Sequence, residues 1–392
     1  MCIRDRKIRK LFNEFFESEK AGGLILVFVT IVSLVLANSP FQTGYIKLWN
    51  YDVAGHSIVH WINDGLMAVF FLLIGLELER EIYHGELSSI KSASMPIFGA
   101  LGGMLVPAAI FLAFNFGTET QSGAGIPMAT DIAFAVGIMS LLGNRVPASL
   151  KIFLIALAVI DDLGAIIIIA VFYTTTLSFL NLGIALGIIA VLGILNRLKV
   201  HNLIPYILGG VVAWYFMLLS GVHATITGVL LAFVVPYGNG GRKSPSYILQ
   251  HILHKPVAFI ILPLFAAANT SIAIGSDWLS SLGEPFSMGI IGGLVIGKSI
   301  GIVLFSIIAV WLGFASLPED LKWGNIIGVG FLGGIGFTMS IFITLLAFDR
   351  QIIVDGSKIA ILLASCVAAS IGFITLKLTL TGTSADEVDE DE

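Results

Sequence analysis

Apolar blocks about twenty residues long follow one another along almost the whole chain, and they constrain its fold more than any other feature. A helix that crosses a bilayer takes about 20 predominantly apolar residues. Of the 392 residues, 57% are hydrophobic and only 12% are charged, whereas roughly 25% of a soluble domain is charged. The blocks are continuous, whereas a transmembrane β-strand would alternate apolar and polar residues. The sequence therefore predicts an all-α membrane protein.

About twelve apolar segments can be distinguished, and no soluble domain interrupts their series. They are 21–38, 61–82, 95–116, 125–143, 150–174, 179–198, 203–219, 222–236, 246–273, 287–312, 324–348 and 357–380. We predict a basic and polar cytoplasmic N-terminus at 1–20, a single membrane transporter domain at 21–380, and an acidic, disordered cytoplasmic tail at 381–392. Cys2 and Cys366 are too few for a disulfide framework or a thiolate metal site.

The distribution of Lys and Arg predicts the orientation of the chain. When successive loops are assigned to alternate sides, seventeen of the 21 basic residues fall on one side and three on the other. Cytoplasmic loops carry the excess of basic residues, so both termini are predicted to be cytoplasmic, which requires an even number of spans. The one remaining basic residue, Lys298, lies inside the tenth span.

Four charged residues stand out inside apolar segments, where a charge costs at least about 2.5 kcal/mol on insertion scales. They are Asp131 in PMATDIAFA, the neighbours Asp161 and Asp162 in AVIDDLGAIII, and Lys298 in LVIGKSIG. A buried structural pair that locks helices together would account for one Asp and one Lys. Three carboxylates and one ammonium leave an excess of negative charge, which suits a site that holds a cation, or protons in its absence.

The two adjacent aspartates must have different surroundings. Successive residues of a helix point about 100° apart, so Asp161 and Asp162 cannot both face one ligand directly. One of them can pair with Lys298 while the other faces the cation. Burial and a neighbouring carboxylate both favour the protonated form of an acid in general, and proton-coupled transport requires such uptake.

Glycine and proline predict that two of the spans are interrupted. Gly123, Gly125 and Pro127 precede Asp131, and Thr130 adds a hydroxyl beside it. The eleventh span carries a similar series of glycines shortly before FTMS: Gly328, Gly330, Gly333, Gly334 and Gly336. Glycines that only allow close helix packing would explain the eleventh span, but explain the two spans together less well. Paired broken helices indicate a transport site near the midplane of the bilayer.

In these segments the chain resembles the NhaA family of bacterial sodium/proton antiporters, from about Phe12 to Leu380. The resemblance is carried by WINDGLMAVFFLLIGLELERE (61–81), GIPMATDIAFAVG (125–137), KIFLIALAVIDDLGAIIIIAVFY (151–173), SGVHATITG (220–228), ILPLFAAAN (261–269), GLVIGKSIGI (293–302) and GIGFTMSIFI (334–343). It implies about twelve transmembrane helices, with an inverted repeat of helices 3–5 and 10–12, for which this family is a known example. It also implies that the interrupted helices 4 and 11 cross at the midplane.

The resemblance implies a pH-regulated, electrogenic antiporter that extrudes sodium or lithium across the bacterial cytoplasmic (inner) membrane in exchange for protons, two per sodium. Asp131 and Asp162 match the acids that alternately hold protons and Na⁺ or Li⁺, Asp161 matches the partner of Lys298, and Thr130 matches a position beside the cation. No cofactor and no enzymatic activity are implied. The implied partners are membrane lipid and the transported ions, without nucleic acid.

The sequence leaves open whether the chain forms a homodimer. The loop 40–60 is shorter than in relatives, in which a β-hairpin supports dimers, but YDVAGHSIV (51–59) has the composition for a small hairpin.

The family is tuned by pH through a cytoplasmic polar cluster, and here the resemblance is weaker. The matching residues are Glu77, Arg80, Glu81, His251 and His254, with His223 and Asp64 as supporting positions. Gln250 stands where an acid is expected, and Glu79 stands where a basic residue is expected. These two differences affect the expected pH of activation and not the expected chemistry.

Two other functions are weighed at this point. The first is a proton-coupled symporter or a cation channel, although a channel tends to show polar rings from repeated subunits rather than one dense cluster in one chain. The second is an intramembrane aspartyl protease. That chemistry needs two acids on separate helices and commonly a Gly-x-Gly-Asp motif, which is absent, and Lys298 would disrupt a shared-proton dyad.

Overall fold

The computed structural model describes residues 3–173, 177–275 and 278–380, and the predicted tail at 381–392 lies outside this part. The helices are α1 (Ile3–Ala37), α2 (Gln42–Trp49), α3 (Ile58–His60), α4 (Met67–His84), α5 (Ile90–Asn115), α6 (Ile132–Ser140), α7 (Ala148–Phe172), α8 (Phe179–Arg197), α9 (Ile204–Leu218), α10 (Ile226–Val234), α11 (Pro245–Pro256), α12 (Leu262–Asn269), α13 (Trp278–Leu282), α14 (Pro285–Ile291), α15 (Lys298–Trp311), α16 (Trp323–Gly333), α17 (Phe337–Ala347) and α18 (Gln351–Thr379). The predicted all-α class is confirmed.

Several helices are continued by turns of other geometry. The π-helical segments Trp61–Leu66, Val257–Ile261 and Gly292–Gly297 lead into α4, α12 and α15. The 3₁₀ segments are Glu86–Ser88, Gln121–Met128 and Gly143–Arg145. Single π-helical turns inside α-helices occur frequently at functional sites.

Nine helical stretches of the described chain are long and apolar enough to cross a membrane, and ten if α16 and α17 count as one bent span. Each of the twelve predicted segments contains a helix. However, α9 has 15 residues and α10 has 9, fewer than the roughly 20 that a perpendicular span needs. The multi-pass membrane fold is therefore confirmed, while the count of twelve helices and the inverted repeat remain predictions.

By its internal contacts, the chain divides into two compact units. The first consists of Met1–Val27, Ser89–Asp161 and Ser276–Glu392, and the second of Phe28–Ser88 and Asp162–Gly275. The first unit contains α5, α6 and α13–α18, the second contains α2–α4 and α8–α12, and α1 and α7 contribute to both. The single membrane domain predicted at 21–380 stays a prediction.

In the first unit, α5 and α15 pack backbone against backbone. A methyl group at Gly102 would overlap the carbonyl oxygen of Gly301, and a methyl group at Gly301 would overlap that of Gly102. Helices approach this closely only where neither carries a side chain at the contact. Because α15 begins at Lys298, this packing fixes the helix that carries the buried lysine.

In the second unit, α4 packs against α10 and α11, and α8 packs against α9. The hairpin that YDVAGHSIV allows is present: β1 (Asp52–Val53) pairs antiparallel with β2 (His56–Ser57). Ala54 and Gly55 join the strands with φ of 56° and 88°, which is the two-residue loop geometry that suits the twist of a hairpin. The Trp61 indole donates to the carbonyl of Val53 at 2.8 Å and ties the hairpin to the following helix.

Candidate functional site

The helices of the fourth and eleventh spans are interrupted at the places that the glycine and proline residues predicted. In the fourth span, the 3₁₀ segment Gln121–Met128 is followed by non-helical residues before α6. In the eleventh span, α16 and α17 are bent by 44° across a break of three residues. Both interruptions lie in the first unit.

The two breaks are joined to each other by hydrogen bonds. The backbone N–H of Asp131 donates to the carbonyl of Ile335 at 2.7 Å. The Thr130 hydroxyl lies 2.8 Å from the carbonyl oxygen of Gly333, and the Ser340 hydroxyl donates to the carbonyl of Ile126 at 2.7 Å. Each interruption therefore satisfies backbone groups that the other leaves without an intrahelical partner, as non-helical backbone inside a membrane protein requires.

The carboxylate of Asp131 holds the first turns of two helices. Its Oδ1 accepts from the backbone N–H of Phe134 at 3.0 Å, which makes Asp131 the N-cap of α6. Its Oδ2 accepts from the backbone N–H of Thr338, in the first turn of α17, at 3.0 Å, and from the Thr338 hydroxyl at 2.5 Å. Helix N-termini carry partial positive charge. When it is ionised, this carboxylate balances the partial positive charge of two helix N-termini.

Lys298 and Asp161 form a completely buried ion pair. The Lys298 Nζ lies 2.5 Å from Asp161 Oδ2, and both side chains are 0% exposed. The ammonium also donates to the carbonyl of Met128, at the end of the 3₁₀ segment. The Thr130 hydroxyl lies 2.7 Å from the same Asp161 oxygen. Of the two adjacent aspartates, Asp161 is the partner of Lys298.

Asp162 follows Asp161 in α7 and is 1% exposed. Because it is turned about 100° around the helix axis from Asp161, it presents its carboxylate in another direction. Asp161 and Asp162 are thus two buried acids at consecutive positions of one helix. Sequence reasoning missed two hydrogen-bonding groups of this site, the Met128 carbonyl, which accepts from Lys298, and the Thr338 hydroxyl, which donates to Asp131. The FTMS sequence after the glycines was a signal for Thr338.

A second polar group lies in the second unit, on α4 and α11. His254 Nδ1 lies 3.9 Å from Glu77 Oε1, and the Arg80 guanidinium lies 3.3 Å from Glu81 Oε1. His251 is exposed and stacks its ring on Tyr247. We call Glu77, Arg80, Glu81, His251 and His254 the α4–α11 cluster.

The two residues that depart from the family pattern are both buried beside this cluster. Gln250 is 8% exposed and forms a side-chain hydrogen bond with Glu77. Glu79 is 5% exposed, and its Oε2 accepts from the Ser246 hydroxyl at 3.1 Å. Burial, followed by the charge of Glu79, raises the pKa of Tyr237 in the adjoining loop. The spacing Leu72–Leu76–Glu79 places Glu79 on an apolar helix stripe, which is a signal for its burial.

His223 does not join the α4–α11 cluster. Its Nε2 lies 2.9 Å from the carbonyl of Tyr173, and its acidic neighbour is Asp64. Asp64 in turn lies 3.2 Å from His60. Asp64 and Glu77 are separated by roughly 20 Å along one continuous helix at about 1.5 Å per residue. The structure therefore places His223 and Asp64 towards the opposite end of that helix from Glu77.

Comparison with known proteins gives consistent matches along the whole chain. The profile of the family described as Na+/H+ antiporter 1 matches residues 13–376. The Na(+)/H(+) antiporter NhaA 1 of Flavobacterium johnsoniae is 68% identical over 375 residues, which cover 96% of this chain and 98% of that protein. The Na(+)/H(+) antiporter NhaA of Flavobacterium psychrophilum is 65% identical over 377 residues, with the same coverage of 96% and 98%. That of Dechloromonas aromatica is 58% identical over 380 residues, again covering 96% and 98%.

Among solved structures, the chain is similar to the sodium proton antiporter MjNhaP1 from Methanocaldococcus jannaschii at pH 8. The TM-score is 0.54 at 15% sequence identity, and the match covers 96% of this chain and 100% of that one. At this identity the similarity concerns the fold alone.

Proposed function

The chain belongs to the Na⁺/H⁺ antiporter 1 family, and we propose that it extrudes sodium or lithium electrogenically, in exchange for two protons, under the control of pH. Members of this family are membrane transporters, not enzymes; the transported substrates are Na⁺ and H⁺, and no cofactor takes part. Sodium/proton antiport is the family's activity, so the channel, symporter and protease alternatives have no further support. The proposal concerns the residues, the stoichiometry and the regulation.

The observation that carries the proposal is the buried Lys298–Asp161 pair beside the two interrupted helices. The pair is neutral, while Asp131 and Asp162 add two further buried carboxylates. Carboxylate, hydroxyl and carbonyl oxygens are the ligands of hard cations. We assign Asp131, Asp162 and Thr130 to the transported cation. Thr130 has one hydroxyl hydrogen for two acceptors within 2.8 Å, so its lone pairs remain available to an ion.

The hydrogen bonds of Asp131 bear on which group carries the second proton. Several donors already point at its two oxygens, and hydrogen bonds to the charged form of an acid favour that form. Lys298 can give up its proton, because a sodium ion near Asp161 replaces the ammonium as the counter-charge of that carboxylate. We therefore assign one proton to Asp162 and the other to Lys298, with Asp131 as a permanent anion. The alternative assignment gives the second proton to Asp131 and keeps the same total.

This stoichiometry moves charge across the membrane. Two protons enter and one sodium leaves in each cycle, so one net positive charge moves inward. Moving one charge through 100 mV is worth about 2.3 kcal/mol. A negative interior would thus drive sodium extrusion without a pH gradient.

We further propose that the α4–α11 cluster senses cytoplasmic pH, and that the chain lies in the bacterial inner membrane with both termini in the cytoplasm. The bias of seventeen basic residues to three supports this orientation. The contacts of Glu77 with His254 and Gln250 support coupling between α4 and α11. The β1–β2 hairpin is the surface that we propose for a homodimer.

The test is sodium-induced collapse of a preformed pH gradient in proteoliposomes. Asp131→Asn and Asp162→Asn are each expected to abolish exchange while the protein inserts normally. The control is Glu119→Gln, an acid 80% exposed in an ion pair with Arg350, which is expected to exchange like the wild type. Near wild-type exchange in either Asn variant would remove that residue from the mechanism. Sodium flux without counter-movement of protons would contradict antiport altogether.

A further inference from the structure

Thr338 is an uncharged residue that makes two hydrogen bonds with one of the buried charged groups, the carboxylate of Asp131. It supplies two donors to Asp131, its backbone N–H at 3.0 Å and its hydroxyl at 2.5 Å, both to Oδ2. Its side chain is 2% exposed. The N–H groups of Phe134 and Ala133, which also donate to this carboxylate, belong to the helix that Asp131 itself begins. Thr338 is therefore the residue of the eleventh span to which the Asp131 carboxylate is bonded in the described part of the chain.

The break before α17 explains why the hydroxyl is available. A threonine inside a helix commonly donates to a carbonyl three or four residues earlier, as Thr344 does to Ser340 at 2.8 Å. For Thr338 these positions are Gly334 and Ile335, in the break, and the Ile335 carbonyl accepts from the N–H of Asp131. The backbone N–H of Thr338 also belongs to the first turn, which has no intrahelical acceptors. Both donors are thus directed at the carboxylate.

We propose that Thr338 is a positioning residue of the exchange site, which fixes the Asp131 carboxylate in the orientation that receives the cation and thereby sets the affinity for sodium. This proposal rests on the proposed function, in which Asp131 holds the transported ion. The hydroxyl and the N–H both bind Oδ2, so they fix the rotation of the carboxyl group about its own axis. A carboxylate free to rotate would present its oxygens to the ion for only part of the time.

The experiment compares three variants in proteoliposomes, with the initial rate of exchange measured against sodium concentration. Thr338→Val keeps the shape of the side chain and removes the hydroxyl, and we expect the KM for sodium to rise about 10-fold with the maximal rate preserved, since hydrogen bonds to charged groups are among the stronger ones. Thr338→Ser restores the hydroxyl and is expected to return KM to within about 2-fold of the wild type. The matched control is Thr344→Val, which removes a buried hydroxyl from the same helix that bonds only its own backbone.

The outcomes separate positioning from a general structural role. A KM in Thr338→Val equal to that of Thr344→Val would overturn the proposal, and so would a fall in maximal rate with KM unchanged. If Thr338→Val does not insert, Thr338→Ala and Thr338→Ser decide the question by the same comparison of KM. If the wild-type protein shows no sodium/proton exchange, the proposed function itself is contradicted. Active Asp131→Asn together with a raised KM in Thr338→Val would show that Thr338 acts on the ion by another route, and would also overturn the proposal.

Discussion

The buried site of the first unit and the α4–α11 cluster of the second contain similar groups in opposite environments. Lys298 and Asp161 are 0% exposed and 2.5 Å apart, whereas the Arg80 side chain is 42% exposed, and His254 and Glu77 are 3.9 Å apart. A charge without solvent must be balanced by a specific partner, while a charge near water is balanced largely by the solvent. Under the proposed function, this difference in exposure suits the buried pair to stoichiometric exchange and the more exposed cluster to graded regulation by pH.

The largest expected difference between the two regions is in stability. Asp161→Asn leaves the Lys298 ammonium buried without its carboxylate, and breaking a buried pair by removing one partner costs about 3–5 kcal/mol. Arg80→Gln removes a partly exposed pair, which is worth about 1 kcal/mol or less. Thermal unfolding in detergent, followed for both variants and the wild type, measures the two costs. Equal losses in both variants would contradict the contrast between the regions.

A double variant distinguishes stability from function at the buried site. Asp161→Asn combined with Lys298→Gln removes both charges, and neutral replacements of a buried pair are often well tolerated. We expect the double variant to regain most of the stability lost in Asp161→Asn and to remain inactive in exchange. A double variant that transports normally would assign the pair a purely structural role.

The next effect concerns the charge moved in each cycle. Lys298→Gln keeps Asp131 and Asp162 but loses the amine that we assign to the second proton. Exchange by the inserted fraction of this variant is expected to become electroneutral, so that an imposed membrane potential no longer alters sodium efflux. Retained electrogenicity would instead assign the second proton to Asp131. If sodium efflux from wild-type proteoliposomes does not respond to the imposed membrane potential, both assignments are contradicted.

The smallest effect is expected in the α4–α11 cluster. Gln250→Glu places a second carboxylate beside Glu77, and two neighbouring carboxylates hold a shared proton more tightly than one. The pH profile of exchange is expected to move by about one unit towards the alkaline side, with the maximal rate unchanged. Glu319→Gln, an acid outside the described helices, serves as the control. An unchanged profile would place pH sensing in the ion site itself.

Charge and glycine content predicted much of this arrangement, because membrane insertion makes each misplaced charge and each helix break visible in the sequence. Lys298 and the three aspartates stand out from apolar surroundings for this reason. The partners do not stand out: Thr338 and Asp131 are 207 residues apart in the chain, and an alcohol side chain in an apolar helix is ordinary. Likewise, the sequence does not show that Lys298 forms its ion pair with Asp161, since this depends on the rotation of two helices about their axes.

The regulatory residues were harder to group from the sequence. His223 matched a position of interest, yet its contacts with Tyr173 and Asp64 follow from how distant helices meet. The apolar stripe of its helix was a signal for the burial of Glu79, but its hydrogen bond with the Ser246 hydroxyl could not be predicted from the sequence. The short helices α9 and α10 explain why the count of twelve stays a prediction, because hydropathy alone gives segment length without helix length.

The mutual contact of Gly102 and Gly301 has a mechanical consequence. At this point each backbone lies against the carbonyl of the other with no side chain between them, and packed interiors deform little. Sliding one helix past the other would drive carbonyl oxygens into Cα atoms. Any motion that moves Lys298 must therefore move α5 as well. The lysine moves with α5 and α15 as one rigid pair of helices, and not on a single helix that bends.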